Sequence, residues 1–228
     1  MNEIRMFTGM FLALTLSMQG ARAIEFSTPT GVRMVVPIMT WKEARFNATV
    51  RQQYDFSCGS AALATLLSHH YGYRVTEQLV FEQMFLNGDQ QKIRQQGFSL
   101  LDMQGFLASH GFRADGFELP LEKLVEAKLP AIVLVSDKGY NHFVVIKGIA
   151  NGRILIGDPS SGTRTMGIER FRELWSNKML FVIHGYNRAV AFNLDADWHA
   201  APLAPLSQAV PRNALDFVSI PKFGPGDF

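Results

Sequence analysis

The chain has 228 residues, 47% of them apolar and 18% charged, with a formal net charge of +2. That length supports one sizeable core plus appendages. The near-neutral charge leaves no electrostatic case for nucleic acid or anionic lipid as the partner, and the single cysteine rules out an internally disulfide-stapled scaffold.

Residues 1–23 read as a secretory signal peptide. Arg5 precedes a mostly apolar run from Met6 to Met18, and Ala21-Arg22-Ala23 supplies a small-x-small cleavage site, so Ile24 is the expected new N-terminus. Cleavage removes Glu3, Arg5 and Arg22 and lowers the net charge by one, to +1. The expected compartment is the periplasm. No other run approaches the ~20 apolar residues a membrane span needs, so no stable span is expected after cleavage.

Residues 24–47 form an N-terminal extension, with a short strand expected over Val32 to Val36 and ended by Pro37. A domain is expected over 48–186. From Cys58 the pattern is helical, with Ala61, Ala62, Leu63, Leu66, Leu67 and Tyr71 on one face and Gly72 as the stop. A second helix is expected over Thr76–Leu86 and a third over Ser99–His110, each opened by a hydroxyl residue able to cap it. The polar stretch between them, Asn87 to Gly97, reads as a loop. Strands follow at Phe112–Phe117, Ala131–Ser136, His142–Ile149, Arg153–Gly157 and Met179–Ile183, with helices at Pro120–Lys128 and Ile168–Trp175. Asn151-Gly152 is a hairpin turn signal, and the continuous apolar runs predict a sheet covered on at least one face. Helices first and a largely antiparallel sheet second give an α+β class. Residues 187–228 hold five of the ten prolines and no period, and read as an extended tail or wrapping arm.

Cys58 lies where a polar loop meets an apolar helix. A hydrolytic thiol needs a stabilised thiolate, a proton-shuttling base and donors for the developing oxyanion. A helix N-terminus supplies part of the first, and Gly59 and Ser60 lack the bulk to keep a substrate backbone away from the first turn. Of the six histidines, His69 and His70 lie about three turns down the first helix, out of reach. His142 opens a strand whose hairpin partner ends at Asp158, so an imidazole and an orienting carboxylate share one end of two strands. A plain two-residue turn sets residue 145 opposite 158, leaving His142 three residues, about 10 Å, out of place; a bulge or longer loop must make up the difference. Gln52 and Gln53 are both close enough to fold back over the thiol as oxyanion donor, and the residues alone do not choose between them. His69-His70 is a poor metal pair and reads as a solvated helix end. No phosphate-cradling glycine loop is present, and neither cofactor nor metal is expected.

Gln52-x5-Cys58-Gly59-x-Ala61, Asn141-His142-Phe143-Val144-Val145, Asp158-Pro159, Gly162 and Phe171-x3-Trp175 stand in the order and spacing of a known family. Over residues 48–184 the chain resembles the double-glycine leader peptidases, papain-like cysteine peptidases that trim bacteriocin precursors. The resemblance implies a papain-like fold with Cys58 as nucleophile, His142 as base, Asp158 as orienting acid and Gln52 as oxyanion donor. The best-known members are cytoplasmic domains fused to an export transporter. With its own export signal, this chain is more similar to stand-alone exported members, including those that accompany functional-amyloid secretion. The expected activity is cleavage of a secreted protein or peptide, with a Gly-Gly-like site among the implications, although family membership does not by itself fix a substrate pocket. A protein or peptide substrate and an outer-membrane export component are the expected partners. Two other readings use the same fold: a binding or chaperone module assisting secretion, which needs none of the four residues, and a papain-like acyl transferase, which needs all of them.

Overall fold

The protein is described from a computed structural model covering residues 23–27, 33–37, 40–137 and 139–201. The expected signal peptide, apart from Ala23, and the end of the expected tail, residues 202–228, lie outside these residues. Two units result. The first contains an antiparallel pair, β1 (Ala23–Ser27) and β2 (Arg33–Pro37), with Ala23 opposite Pro37 and Ser27 opposite Arg33.

The second unit, from Trp41 onward, begins with a short helix α1 (Trp41–Ala44). Helix α2 (Cys58–Thr65) continues through a π-helical turn, Leu66–His70, and stops before Gly72, whose φ of +66° suits glycine. Helix α3 (Glu77–Asn87) is capped by Thr76. Helix α5 (Leu100–Ser109) opens on a full capping box between Ser99 and Asp102. Between them the expected loop contains a helix, α4 (Gln90–Gln96). Asp89 caps it by accepting from the N–H groups of Gln91 and Lys92, and it buries one residue, Ile93. One apolar side chain in seven residues leaves almost no hydrophobic period to read.

The sheet runs in the order β3-β8-β4-β5-β6-β7, antiparallel throughout. Its strands are β3 (Arg113–Phe117), β4 (Ala131–Asp137), β5 (Tyr140–Ala150), β6 (Arg153–Asp158), β7 (Gly162–Gly167) and β8 (Leu180–His184). Helix α6 (Glu122–Ala127) joins β3 to β4, and α7 (Ile168–Leu174) joins β7 to β8. The apolar runs are continuous because both faces are covered. Ile132, Phe143, Val145, Phe181 and Ile183 pack with α2, α3 and α5. Val133, Val144, Ile146, Ile154 and Ile156 pack with Leu124 of α6 and Phe171 of α7. Strand β7 was not expected: Thr163, Arg164, Thr165 and Met166 alternate without a clear apolar face.

The segment read as a tail begins with residues laid on this unit. Ala191 N–H donates to His70 O, and Asn193 N–H donates to Lys147 O. Helix α8 (Asp195–Ala200) follows. Contact with this segment explains why His70 is not the solvated helix end expected. It is buried, its Nδ1–H donates to Ala191 O at 2.6 Å, and burial drives its pKa down to about 4. No helix among the described residues is long and apolar enough to cross a membrane.

Candidate active site

Cys58 is the first residue of α2 and only 8% exposed. The N-cap residue, Ser57, does not cap the helix. Its hydroxyl is engaged with Tyr54 instead, donating to the carbonyl at 3.0 Å and accepting from the N–H at 3.1 Å. The first-turn N–H groups around the thiol therefore have no side-chain acceptor, and they carry the positive end of the helix dipole. Glycine at 59 has a different reason from the one expected. A Cβ there would sit 2.9 Å from Met103 Cε and 3.0 Å from Phe98 Cβ, so the bare face meets the core. Ser60 is also interior, donating to Ser57 O and sharing a hydrogen bond with Glu77 Oε1 at 2.8 Å. Neither residue opens the first turn to substrate.

His142 and Asp158 meet because β5 carries a bulge. Ala150 pairs with Arg153 and Gly148 with Leu155, but Ile146 pairs with Ile156, so Lys147 and Gly148 together oppose Leu155. Beyond the bulge Val145 faces Gly157 rather than Asp158. Extending that register sets Asp158 across from Val144. An offset of three residues would point the two side chains to opposite faces; the remaining offset of two leaves them diagonal neighbours on one face, within reach of each other. His142 Nε2 and Asp158 Oδ1 are 3.0 Å apart, both groups buried.

Around this contact Asp158 is saturated with donors. Oδ1 accepts from Ser160 N–H at 2.9 Å and Ser160 Oγ at 2.7 Å; Oδ2 accepts from Arg164 Nε at 3.0 Å and is ion-paired with Nη2 at 3.0 Å. Burial alone would raise the carboxyl pKa, but the His142 hydrogen bond and charge, with Ser160 and Arg164, hold it far below the usual range. For His142 burial opposes the charged form, yet the hydrogen bond to Asp158 and the proximity of the Asp158 carboxylate and the Cys58 sulfur raise the pKa to about 9. Nδ1 makes no hydrogen bond of standard geometry and is the ring nitrogen left for the thiol. Tyr140 lies 5.9 Å from the imidazole, ring to ring, its hydroxyl donating to Asp55 O.

Gln52 sits on the same rim, strapped to it by its own backbone. Its N–H donates to Pro159 O, next to Asp158, and its Nε2 donates to Tyr54 O at 3.1 Å rather than to Cys58. One amide N–H remains free of that bond. Gln53 is exposed. The strap is reinforced by Thr49 Oγ1 to Thr163 Oγ1 at 2.7 Å and Val50 N–H to Thr65 Oγ1 at 2.9 Å.

Sequence reasoning named Cys58, His142, Asp158 and Gln52 but missed Ser160 and Arg164. Asp158-Pro159-Ser160 has the composition of an Asx turn, which would have flagged the first. Arg164 was hidden because its strand was not recognised.

A thiol at an uncapped helix start, with an imidazole and a buried carboxylate on the antiparallel sheet against which that helix packs, defines the papain-like class of cysteine peptidases. Residues 47–187 match the Peptidase C39 family, and the chain belongs to it. It is therefore a cysteine peptidase. It is 37% identical over 180 residues to a Pseudomonas aeruginosa protein named probable functional amyloid protease FapD, covering 78% of this chain and 80% of that one. The Pseudomonas fluorescens protein of the same name is 39% identical over 176 residues, 77% of each chain. Among solved structures it is similar to the peptidase domain of Streptococcus ComA, described as a bi-functional ABC transporter involved in quorum sensing. The TM-score is 0.50 at 25% identity, covering 60% of this chain and 96% of that domain.

Proposed function

We propose that this peptidase is exported to the periplasm and there cleaves a peptide bond in a secreted protein of a functional-amyloid system, through Cys58, His142 and Asp158. The observation that carries the reading is the position of His142, hydrogen-bonded to buried Asp158 through Nε2 while its other nitrogen is left for the thiol at the start of α2.

In this reading the thiolate of Cys58 attacks the scissile carbonyl, and the carbon–nitrogen bond breaks as the imidazolium of His142 gives its proton to the leaving amine. Water then attacks the thioester, losing a proton to the imidazole, and the thiolate leaves. Asp158 keeps the ring oriented and favours its charged form. The oxyanion is met by the α2 N–H groups and by the free amide N–H of Gln52. The names of the Pseudomonas relatives support the choice of substrate class, and a Gly-Gly-like site is the expected cleavage point. An outer-membrane export component is the proposed partner.

The test is to incubate the secreted proteins of the host with wild type or Cys58→Ala and sequence the new N-termini. New termini on an amyloid subunit or its export partners, absent with Cys58→Ala, are expected. Identical products from both proteins would overturn the assignment. Fractionation of cells carrying the full chain should place it in the periplasm; retention in the cytoplasm would refute export.

A further inference from the structure

Beside the triad lies an open cavity of about 670 Å³, lined by α1, the strap and the turn after Asp158. Lys42, Arg45 and Arg51 supply three cations to its wall, and Pro159, Ser160 and Ser161 form the side toward the triad. Among the described residues none of the three cations has an ion pair. Glu43, on the same short helix, does not line the cavity, and neither does Asp158, whose charge is taken up by His142 and Arg164.

Arg45 is anchored through its backbone and Arg51 through its side chain. Arg45 O accepts from Thr163 N–H at 2.7 Å, and its backbone presses on Gly162, where a Cβ would come within 2.9 Å of that oxygen. Arg51 lies over the Phe46 ring at 4.2 Å, which fixes its guanidinium against the wall. Ser161 also lines the cavity, and its Oγ is buried just behind the wall without a hydrogen-bond partner. The cavity adjoins the reaction centre through two bonded steps. Gln52 forms part of its wall, and Ser160 both lines it and hydrogen-bonds Asp158.

We infer that this cavity is a subsite for a carboxylate of the peptide substrate, within a few residues of the scissile bond. The inference rests on the peptidase reading and adds a charge preference to it. Guanidinium groups pair with carboxylates by two parallel hydrogen bonds, and two arginines give a carboxylate more donors than an uncharged amide can use. An acidic side chain and a free chain end offer the same chemistry.

The experiment measures binding of fluorescent peptides to the full chain carrying Cys58→Ala, so that no turnover intervenes. One peptide carries a central Gly-Gly flanked by Asp and Glu; its isostere carries Asn and Gln; each is made with a free and an amidated C-terminus. At low salt the acidic peptide should bind roughly tenfold more tightly than its isostere. Adding Arg45→Gln and Arg51→Gln should erase that preference while leaving isostere binding and the melting temperature unchanged. A preference that follows the free terminus assigns the subsite to a chain end; one that follows Asp and Glu assigns it to a side chain. Equal binding of acidic and isosteric peptides, binding of neither, or a preference that survives the double substitution would overturn the inference. Turnover of the isostere by wild type and its loss in Cys58→Ala report on the triad separately, so either claim can fail alone.

Discussion

Burial works against a charged imidazole, and His142 is held with a pKa of about 9 only because Asp158 and Cys58 outweigh it. Two predictions follow from the sign. The raised pKa contributes stability that is complete below the unfolded value of ~6.5 and lost as pH rises to about 9, on the order of 3 kcal/mol. Thermal melts should fall by several degrees across that window, and much less in Asp158→Asn. The alkaline limb of kcat/KM should lie near pH 9 and move down in Asp158→Asn, which loses the stabilising charge. Arg164 acts through Asp158. Arg164→Gln removes a cation beside the pair, so its limb should move up or stay while kcat drops roughly tenfold through a less firmly oriented ring. A downward shift in Arg164→Gln would mean that the guanidinium does not act through Asp158.

At the scale of elements, what was readable was what carried a period or a cap. Helices α2, α3 and α5 announced themselves through apolar spacing and through Thr76 and Ser99. The bulge at Lys147 left no signal beyond the mismatch between the Asn151-Gly152 turn and the needed pairing. It also aims Lys147 inward. The ammonium is fully buried, 2.9 Å from Asp197 Oδ2 and 2.8 Å from Ala48 O, and its pKa is lowered by burial against the opposing pull of Asp197. This pair ties α8 to the strap that carries Gln52. The tail beyond about Asn187 looks dispensable for the chemistry from sequence, but removing it would strand this ammonium. We expect a cost of roughly 3–5 kcal/mol, seen as a melting temperature about 6–20 °C lower. A chain ending at Ala201 should melt like the full protein with respect to this contact. Lys147→Met with Asp197→Leu should restore much of what Asp197→Asn loses; no loss in Asp197→Asn would show that the pair is not holding the segment.

On the scale of the whole molecule, the α+β arrangement and the chemistry were legible for different reasons. The fold was readable because a run of helical periods unbroken by strands, from Cys58 to Ser109, is followed by a run of apolar strand segments broken only by short helices. Cys58, His142 and Asp158 were readable because a lone cysteine at a helix start and a His–Asp pair on a hairpin are few enough to combine. The cationic cavity was not readable, since Arg45 and Arg51 meet Ser160 and Ser161 only through a strap and an unrecognised strand.

The claim on which the account depends is that Cys58 reacts with a peptide carbonyl through His142. The most direct measurement is the rate at which a peptide aldehyde or nitrile adds to the full protein near neutral pH, with the adduct located by mass spectrometry. The account predicts a single adduct on Cys58, formed at least a hundredfold more slowly in His142→Ala although that variant stays folded. An adduct forming as fast in His142→Ala as in the wild type, or on a residue other than Cys58, would contradict it.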